Sequence, residues 1–311
     1  MLLTVLQGRY SLAYNCHPAR LAGGKSFMET FMERLRFLHI PKTAGTTFTT
    51  CLDYQYSGKG HFVFKGAVQY DVMRFKELPE AEKQKVVLFT GHAPILTGLE
   101  EADTAKIITF LRNPISRVKS FIQHISEGKS PEYLKGPFNL DEFLASGTKD
   151  LENLQTKMLI NKGPFALSTL IDSMSKSEAR DLALNNLFNK VEEYGLQEYF
   201  DESLVLFASA LNWYTPFYTS LNKKDSSRLL EFKQHHLDRI AELNSIDIEV
   251  YNTAKARFLQ TLESPKFDKI KLEKLRYKNS LASPHKHAWN LWYSFYRLKR
   301  RVRRYLGDES S

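Results

Sequence analysis

The sequence predicts an α/β fold built on a central parallel sheet. Three short apolar segments, Leu35–Ile40, Val86–Thr90 and Ile107–Leu111, are separated by stretches that suit helices. Largely unbroken apolar strands indicate burial on both faces, as in a parallel sheet covered by helices. The order strand, helix, strand, helix is typical of that class. We therefore expect a P-loop-like central parallel sheet flanked by helices, with a helical C-terminal extension.

Weaker signals complete the predicted element order. A helix is expected from about Thr46, and a short strand at His61–Lys65 inside a Gly- and Tyr-rich loop. A further helix is predicted over Ile115–Glu127, followed by mostly helical structure over 140–200 with a break at Gly163-Pro164. After that, we predict a strand at Leu204–Phe207 and helices over Ala208–Leu221 and Ile246–Leu262.

Composition divides the chain into three parts. Residues 1–33 show no clean period and contain a linker-like stretch around Gly23-Gly24. Residues 34–280 carry the predicted strands and helices and are expected to form one domain. Residues 281–311 are basic and aromatic and are expected to form a C-terminal helix.

Charge and cysteine content limit the classes of function. The formal net charge of +9 over 311 residues favours polyanionic partners such as anionic glycans, nucleotides or lipid headgroups. Two cysteines, Cys16 and Cys51, imply no disulfide framework and favour a reducing compartment. No signal-peptide pattern, N-glycosylation sequon or apolar run of membrane-spanning length is seen, so we expect a cytoplasmic protein.

The segment HIPKTAGTTF, residues 39–48, predicts an anion site. A strand ends in Pro41 and Lys42, a turn of small residues follows, and a helix then begins. Such a loop presents backbone N–H groups and the positive end of the helix dipole to an anion. It is not a Walker A motif, because Lys42 precedes Gly45. The GKS at Gly24–Ser26 also fails, since Ala19 stands where the first glycine belongs.

A second anion motif follows the third strand. In LRNPISRVKS, Arg112 stands at the strand end, Pro114 can start a helix, and Ser120 lies in the second helical turn. The planar arginine fork can bind two oxygens of one phosphate. Ligands of parallel sheets bind beyond the carboxyl ends of the strands, where Lys42, His92 and Arg112 should meet. The chain therefore suits a ligand with two separated anionic groups.

The two motifs together resemble those of sulfotransferases that use 3′-phosphoadenosine 5′-phosphosulfate (PAPS). HIPKTAGTTF looks like their 5′-phosphosulfate loop, and LRNPISRVKS looks like their 3′-phosphate motif. The first motif, with Gly91-His92 between the two, resembles the carbohydrate branch, which includes heparan sulfate 2-O- and 6-O-sulfotransferases and bacterial relatives. The resemblance extends through YGLQEYFDESLVLF and covers roughly residues 34 to 260.

The resemblance implies roles for individual residues. Lys42 would stabilise the leaving phosphate, and the loop residues Thr43, Gly45, Thr46 and Thr47 would hold the 5′-phosphate. A second set, Arg112 and Ser120, would bind the 3′-phosphate, with Arg117 as a ligand or a brace. His92 would be the catalytic base, and no metal is required.

Other residues compete for these roles. His124, Glu100 and Glu101 are alternative bases, and Gln155 and Lys157 are candidate acceptor contacts, each with a purely structural alternative. A histidine of ordinary pKa, near ~6.5, is suited to take the proton of an acceptor hydroxyl. Sulfonate transfer resembles phosphoryl transfer, in which positioning and charge stabilisation dominate catalysis.

The C-terminal segment raises a separate expectation. Aromatic residues such as Trp289 and Trp292 interleave there with Arg297, Arg300 and Arg304. A helix of this pattern suits peripheral contact with an anionic membrane through 286–306, binding of an anionic glycan, or docking on its own domain.

The residues and the resemblance predict one principal function: transfer of the sulfonate group from PAPS to a hydroxyl of an oligosaccharide, polysaccharide or glycolipid. A nucleotide-dependent kinase and a non-catalytic polyanion-binding protein are the alternatives. We expect no nucleic-acid partner, and a location in the cytoplasm that includes the inner face of the membrane.

Overall fold

The computed structural model describes residues 33–134, 136–161, 169–214, 216, 218 and 229–282. The predicted N-terminal segment, apart from Glu33, lies outside these residues. Cys16, the Gly24–Ser26 stretch and the basic aromatic segment 286–306 lie outside them as well.

Five parallel strands form the sheet, in the spatial order β2-β3-β1-β4-β5. Their bounds are β1 Leu35–Leu38, β2 Gly60–Phe64, β3 Val86–Gly91, β4 Lys106–Leu111 and β5 Val191–Leu196. The central strand β1 pairs with β3 on one side and with β4 on the other. The predicted parallel α/β fold is therefore confirmed, and the three strands that precede the candidate site are neighbours.

Thirteen α-helices lie within the described residues. They are α1 Gly45–Gln55, α2 Val68–Lys76, α3 Glu80–Lys85, α4 Glu100–Asp103, α5 Pro114–Ser126, α6 Leu140–Ala145, α7 Leu154–Ile160, α8 Thr169–Asp172, α9 Lys176–Asn189, α10 Phe200–Ala210, α11 Gln234–Leu243, α12 Ser245–Glu263 and α13 Lys269–Ala282. Short 3₁₀ helices span Pro131–Tyr133, Lys149–Leu151 and Gln197–Tyr199.

Aromatic side chains fill both faces of the sheet. On one face, Phe48 of α1 contacts Phe37 of β1, Phe110 of β4 and Phe207 of α10 at ring-centroid distances of 4.8, 5.0 and 5.2 Å. On the other face, a separate cluster gathers Phe62, Phe64, Phe75, Phe89 and Leu99. Phenylalanine side chains therefore form much of the packing on both faces of the sheet around β1.

Two predicted elements near the C-terminal half are wrong. Leu204–Phe207 is part of helix α10, not a strand, and the helix predicted over Ala208–Leu221 ends at Ala210. Helix α10 is packed between the sheet and α13, so its apolar run is buried on all sides and resembles a buried strand. The fifth strand instead lies at Val191–Leu196, inside the stretch predicted to be mostly helical.

Local signals position the second motif more accurately. Helix α5 begins at Pro114. Proline lacks a backbone N–H, but the first residue of a helix has no intrahelical acceptor for one, so nothing is lost there. The Asn113 side chain caps the helix by accepting a hydrogen bond from the Ser116 amide at 3.0 Å. The predicted helix over Ile115–Glu127 is thus confirmed within one residue at each end.

Within the described part of the chain, the structure contains no helix that is both long and apolar enough to cross a membrane.

Glu193 on β5 predicts how stability depends on pH. Burial raises the pKa of its carboxyl from 4.5 to about 7. The folded protein therefore keeps a proton that the unfolded chain loses above its own pKa, so stability falls as pH rises through this window and is constant above it. For this partly exposed group we expect a loss of about 1–2 kcal/mol.

Thermal unfolding from pH 5 to pH 8 tests this prediction. Glu193→Gln, which mimics the protonated side chain, should lose less stability over that range than the wild type. Glu263→Gln removes an exposed carboxylate at the end of α12 and should keep the wild-type slope. Equal slopes for all three proteins would show that Glu193 titrates normally.

Candidate functional site

The loop between β1 and α1 has the geometry of an anion cradle. Lys42 and Ala44 adopt left-handed backbone conformations, with φ values of 70° and 75°. This path turns the chain so that α1 starts directly after Ala44. The amide of Phe48 is the first to bond back into the helix, to the Ala44 carbonyl at 3.1 Å. The amides of Gly45, Thr46 and Thr47 precede it and have no intrahelical acceptor, as at any helix start.

The three threonines of the loop differ in their surroundings. Thr43 is fully buried, and its hydroxyl donates to the Ile40 carbonyl at 2.8 Å, which holds the turn closed. Thr46 is exposed and Thr47 is half-buried, on the first turn of α1. The Thr43 side chain therefore stabilises the loop, whereas Thr46 and Thr47 lie at the surface of the cradle.

Gly45 is required because a histidine ring occupies the space beside it. A methyl group at this position would lie 1.6 Å from Nε2 of His39. The His39 ring is held in place by stacking on Phe37 at 5.2 Å and by contact with His92 at 4.4 Å between ring centroids. Because Gly45 has no side chain, the loop between β1 and α1 can lie against the rings of His39 and His92.

The two predicted anion motifs are joined directly. Nη1 of Arg112 donates to the Lys42 carbonyl at 3.0 Å. The backbone of Arg112 is bracketed by Gln155, whose side chain accepts from the Arg112 amide and donates to its carbonyl, both at 2.9 Å. Glu198 accepts from the neighbouring Asn113 amide at 2.8 Å. The end of β4 is therefore fixed against the β1 loop.

Two arginines near this junction have incomplete hydrogen bonding. Among the described residues, neither Arg112 nor Arg117 has a carboxylate within salt-bridge distance. Nε of Arg112 and both Nε and Nη1 of Arg117 are buried without a hydrogen-bond partner. Burial lowers the pKa of both guanidinium groups. Buried, unsatisfied cationic donors are costly unless an anion or water completes them.

Arg117 and Ser120 lie deeper than Arg112. Arg117 is fully buried, and its Nη2 donates to the Asp150 carbonyl at 2.8 Å, so it also braces the segment after α6. Ser120 lies on the second turn of α5 with 8% of its surface exposed. Of the residues predicted for the second anion site, Arg112 is the most accessible.

His92 is held in a defined tautomer beside the loop. Its Nδ1 lies 2.9 Å from the His39 carbonyl oxygen. A carbonyl can only accept a hydrogen bond, so Nδ1 carries the proton and the neutral ring presents the lone pair of Nε2. The residue is exposed at the rim. This is the arrangement that a general base needs.

The environment of the two histidines keeps both neutral. Burial, with smaller contributions from the nearby His92 and Lys42, lowers the pKa of His39 to about 3. Burial also lowers the pKa of His92, opposed by its bond to the His39 carbonyl and by the charge of Asp150.

Comparison with known proteins shows what this arrangement belongs to. The family model described as galactose-3-O-sulfotransferase matches residues 12–281. The chain belongs to this sulfotransferase family. The predicted membership of a PAPS-dependent carbohydrate sulfotransferase family is thereby confirmed.

Curated relatives and solved structures are similar to parts of this chain. Heparan-sulfate 6-O-sulfotransferase 2 of Gallus gallus is 28% identical over 180 residues, 49% of this chain and 44% of that protein. Heparan-sulfate 6-O-sulfotransferase 3-B of Danio rerio is 27% identical over 179 residues, 49% and 42% of the two chains. The chain thus spans less than half the length of these relatives.

Among solved structures, a sulfotransferase from Alicyclobacillus acidocaldarius aligns over 70% of this chain and 94% of its own, at 14% identity and with a TM-score of 0.40. Mouse sulfotransferase SULT7A1 complexed with PAP aligns over 70% and 66% at 13% identity, with a TM-score of 0.36.

The residues that compete for these roles occupy other places. Gln155 and Lys157, considered as acceptor contacts, are buried, and Nζ of Lys157 donates to the Lys149 carbonyl at 3.1 Å. Glu100 and Glu101 lie in α4, close to the start of β4 and hence toward the end of the sheet opposite the site. His124 is half-buried in the third turn of α5 and remains the principal alternative to His92.

His39 and Glu198 are site residues that the sequence did not reveal. His39 directly follows β1, and nothing in the local sequence indicates a role for it. Its contacts with Gly45 and His92 depend on the fold. Glu198 lies 85 residues after Asn113, and no local pattern connects them.

Among the described residues, the fold also assembles one cluster of possible metal ligands that sequence spacing did not reveal. Asp141, His235 and His236 bring their ligand atoms within 4.8 Å of one another. However, Nδ1 of His236 accepts the Lys233 amide at 3.0 Å, so the proton lies on Nε2, which donates to Asp141 at 2.9 Å. As arranged, His236 has no lone pair for a metal, and the cluster joins α6 to α11.

The contact between Gly45 and His39 predicts a measurable energetic coupling. Gly45→Ala should lower the free energy of unfolding by about 1–3 kcal/mol, since the methyl group must displace a ring packed on both sides. Combining it with His39→Ala should cost less than the sum of the two changes by about 1 kcal/mol or more. Urea unfolding of the four proteins measures this coupling.

Gly136→Ala is the matched control, because a methyl group there meets no atom within 4 Å. Additive costs for Gly45→Ala and His39→Ala would contradict the proposed contact.

Proposed function

We propose that the chain transfers the sulfonate group of PAPS to a carbohydrate hydroxyl. The main support is a pair of arginines, Arg112 directly after β4 and Arg117 on α5, which have buried nitrogen donors without hydrogen-bond partners among the described residues. Arg112 is hydrogen-bonded to the loop that carries Lys42. Two anion sites on adjacent strands suit a donor with a phosphate at each end, and PAPS has this form.

The residues fit the two ends of the donor. The amides of Gly45, Thr46 and Thr47, with the hydroxyls of Thr46 and Thr47, would hold the 5′-phosphate at the positive end of α1. Thr43 would contribute through its backbone, since its hydroxyl bonds to Ile40. In the second site, Arg112 would bind the 3′-phosphate directly, with Ser120 and Arg117 behind it.

The reaction follows from the placement of Lys42 and His92. Nε2 of His92 would take the proton of the acceptor hydroxyl as that oxygen bonds to sulfur. The bond between sulfur and the bridging oxygen of the 5′-phosphate breaks, and the electron pair stays on that phosphate. Lys42 would stabilise the charge that develops there. The products are a sulfate ester and 3′-phosphoadenosine 5′-phosphate (PAP).

The acceptor is proposed only as a class. The family is named for galactose 3-O-sulfotransfer and the curated relatives for heparan sulfate 6-O-sulfotransfer, so an oligosaccharide, polysaccharide or glycolipid hydroxyl is the proposed target. The net charge of +9 favours an acceptor that is itself anionic. Contact of residues 286–306 with an anionic membrane stays a prediction, as does a cytoplasmic location.

Calorimetric titration with PAP tests the donor site. We expect micromolar binding to the wild type, and at least about a tenfold loss in Arg112→Ala, because a charged hydrogen-bond donor to phosphate is removed. Arg239→Ala, which removes an exposed arginine on α11, is the charge-matched control and should bind like the wild type. Binding of ATP but not of PAP would favour a kinase, and binding of neither would favour a polyanion-binding protein.

The pH dependence of transfer tests the base. Burial lowers the pKa of His92 below the ordinary histidine value, so kcat/KM should be constant at neutral and higher pH and should fall as His92 is protonated at acidic pH. His92→Ala should lower kcat by about 10²–10⁴-fold and leave PAP affinity unchanged.

His124→Ala is the matched control for the base assignment and should retain transfer. Full activity of His92→Ala, with loss of activity in His124→Ala, would reverse the assignment.

A further inference from the structure

Arg36 is a buried cation in the middle of the sheet that the proposed chemistry does not use. It lies on β1 with 1% of its surface exposed, on the face that packs against the second aromatic cluster. Its guanidinium carbon lies 5.9 Å from the centre of the Phe64 ring. A charge at this depth costs several kcal/mol unless polar groups surround it. The groups that surround it therefore indicate what it does.

Three consecutive backbone carbonyls converge on Arg36. Nη1 donates to the Ile95 carbonyl at 2.9 Å, and Nη2 donates to the Pro94 carbonyl and to the Ala93 carbonyl, the latter at 3.5 Å. These residues immediately follow His92. The planar guanidinium of Arg36 thus fixes the backbone of the three residues that follow His92, the proposed base.

Asp103 extends the same network. It accepts from Nη1 of Arg36 at 3.1 Å. The Asp103 carboxylate also accepts from the amide and the hydroxyl of Thr97, at 2.7 and 2.8 Å, and from the Gly98 amide at 2.9 Å. One ion pair therefore holds the whole connection from Ala93 to Gly98.

The residue on the other side of His92 is fixed as well. Gly91 has a φ of 117°, and a methyl group there would lie 2.0 Å from the Phe64 carbonyl oxygen. The Gly91 carbonyl accepts the His39 amide at 3.3 Å. With Gly91 fixed in this way, the remaining freedom of the His92 backbone depends on the segment that Arg36 binds.

We propose that Arg36 is a positioning residue, which holds the Ala93–Ile95 carbonyls so that His92 meets the His39 carbonyl and faces the loop of Lys42. The inference rests on the proposed function in treating His92 as the base. Arg36 lies on β1, and the Lys42 loop follows that strand directly, so β1 links the position of the base to that of the group that stabilises the leaving phosphate. Lysine cannot replace Arg36, because a single ammonium cannot reach three carbonyls and a carboxylate in this planar arrangement.

NMR of the His92 ring tests the proposal without relying on activity. In the wild type, the Nδ1 proton bonded to the His39 carbonyl should give a slowly exchanging signal, assigned by its loss in His92→Ala. In Arg36→Lys and in the milder Asp103→Asn, this signal should broaden or vanish while the protein stays folded.

Arg74→Lys is the matched control. Arg74 lies 4.3 Å from the Phe62 ring of the same aromatic cluster and donates to the Val63 carbonyl and to Asp71, but it makes no contact with residues 93–95. This variant should keep the His92 signal.

Kinetics adds a second readout. Arg36→Lys and Asp103→Asn should lower kcat at least about tenfold, because a misplaced base loses rate steeply, with PAP affinity within about threefold of wild type. An intact His92 signal in both variants overturns the proposal, as does an equal loss in Arg74→Lys. If the wild type binds PAP but transfers no sulfonate, the proposed function fails, whereas the NMR result still decides the role of Arg36.

Discussion

One hydrogen bond, from Arg112 to the Lys42 carbonyl, makes a single site of two motifs that are 70 residues apart. It exists because β1 and β4 are neighbouring parallel strands, so their carboxyl ends reach the same rim. The third strand of this group, β3, brings His92 to the other side of the same loop, where its ring bonds to the His39 carbonyl. The order of the strands is therefore the constraint on which the proposed chemistry depends. A sheet with another strand between β1 and β4 would separate the two anion sites by about 5 Å more.

Buried arginines in this protein have different partners, and the difference indicates their roles. Arg36 is surrounded by carbonyl oxygens and an aspartate, which accept hydrogen bonds from its buried donors. Arg117 has one carbonyl partner and two unsatisfied nitrogens, and Arg112 has one unsatisfied nitrogen and no carboxylate. Leaving a buried donor unpaired costs about 1–3 kcal/mol, so folding alone does not favour this state. A satisfied cation stabilises the fold around it, whereas an unsatisfied cation at a rim favours binding of an anion.

The sequence predicts most of the sheet and the starts of α1 and α5 well, and the reasons are local. The strands β1, β3 and β4 are apolar, and the starts of α1 and α5 carry clear loop and capping signals. Strand β5 is hidden because Glu192 and Glu193 interrupt its apolar pattern, whereas α10 is so thoroughly buried that its helical period is lost. His39, Glu198 and Arg36 act through contacts with residues distant in sequence. Their roles become visible only once the topology brings those partners together, and a charged residue in the middle of a strand gives no hint of which carbonyls it will meet.

A crystal structure of the complex with PAP tests the central claim most directly, because it shows whether the two motifs bind one molecule. The account predicts the 5′-phosphate on the amides of Gly45, Thr46 and Thr47 and the 3′-phosphate within hydrogen-bond distance of Arg112, with Nε2 of His92 facing the space beyond the 5′-phosphate. A complex with the 3′-phosphate in solvent and Arg112 still bonded only to protein would contradict it. So would a nucleotide bound elsewhere on the sheet.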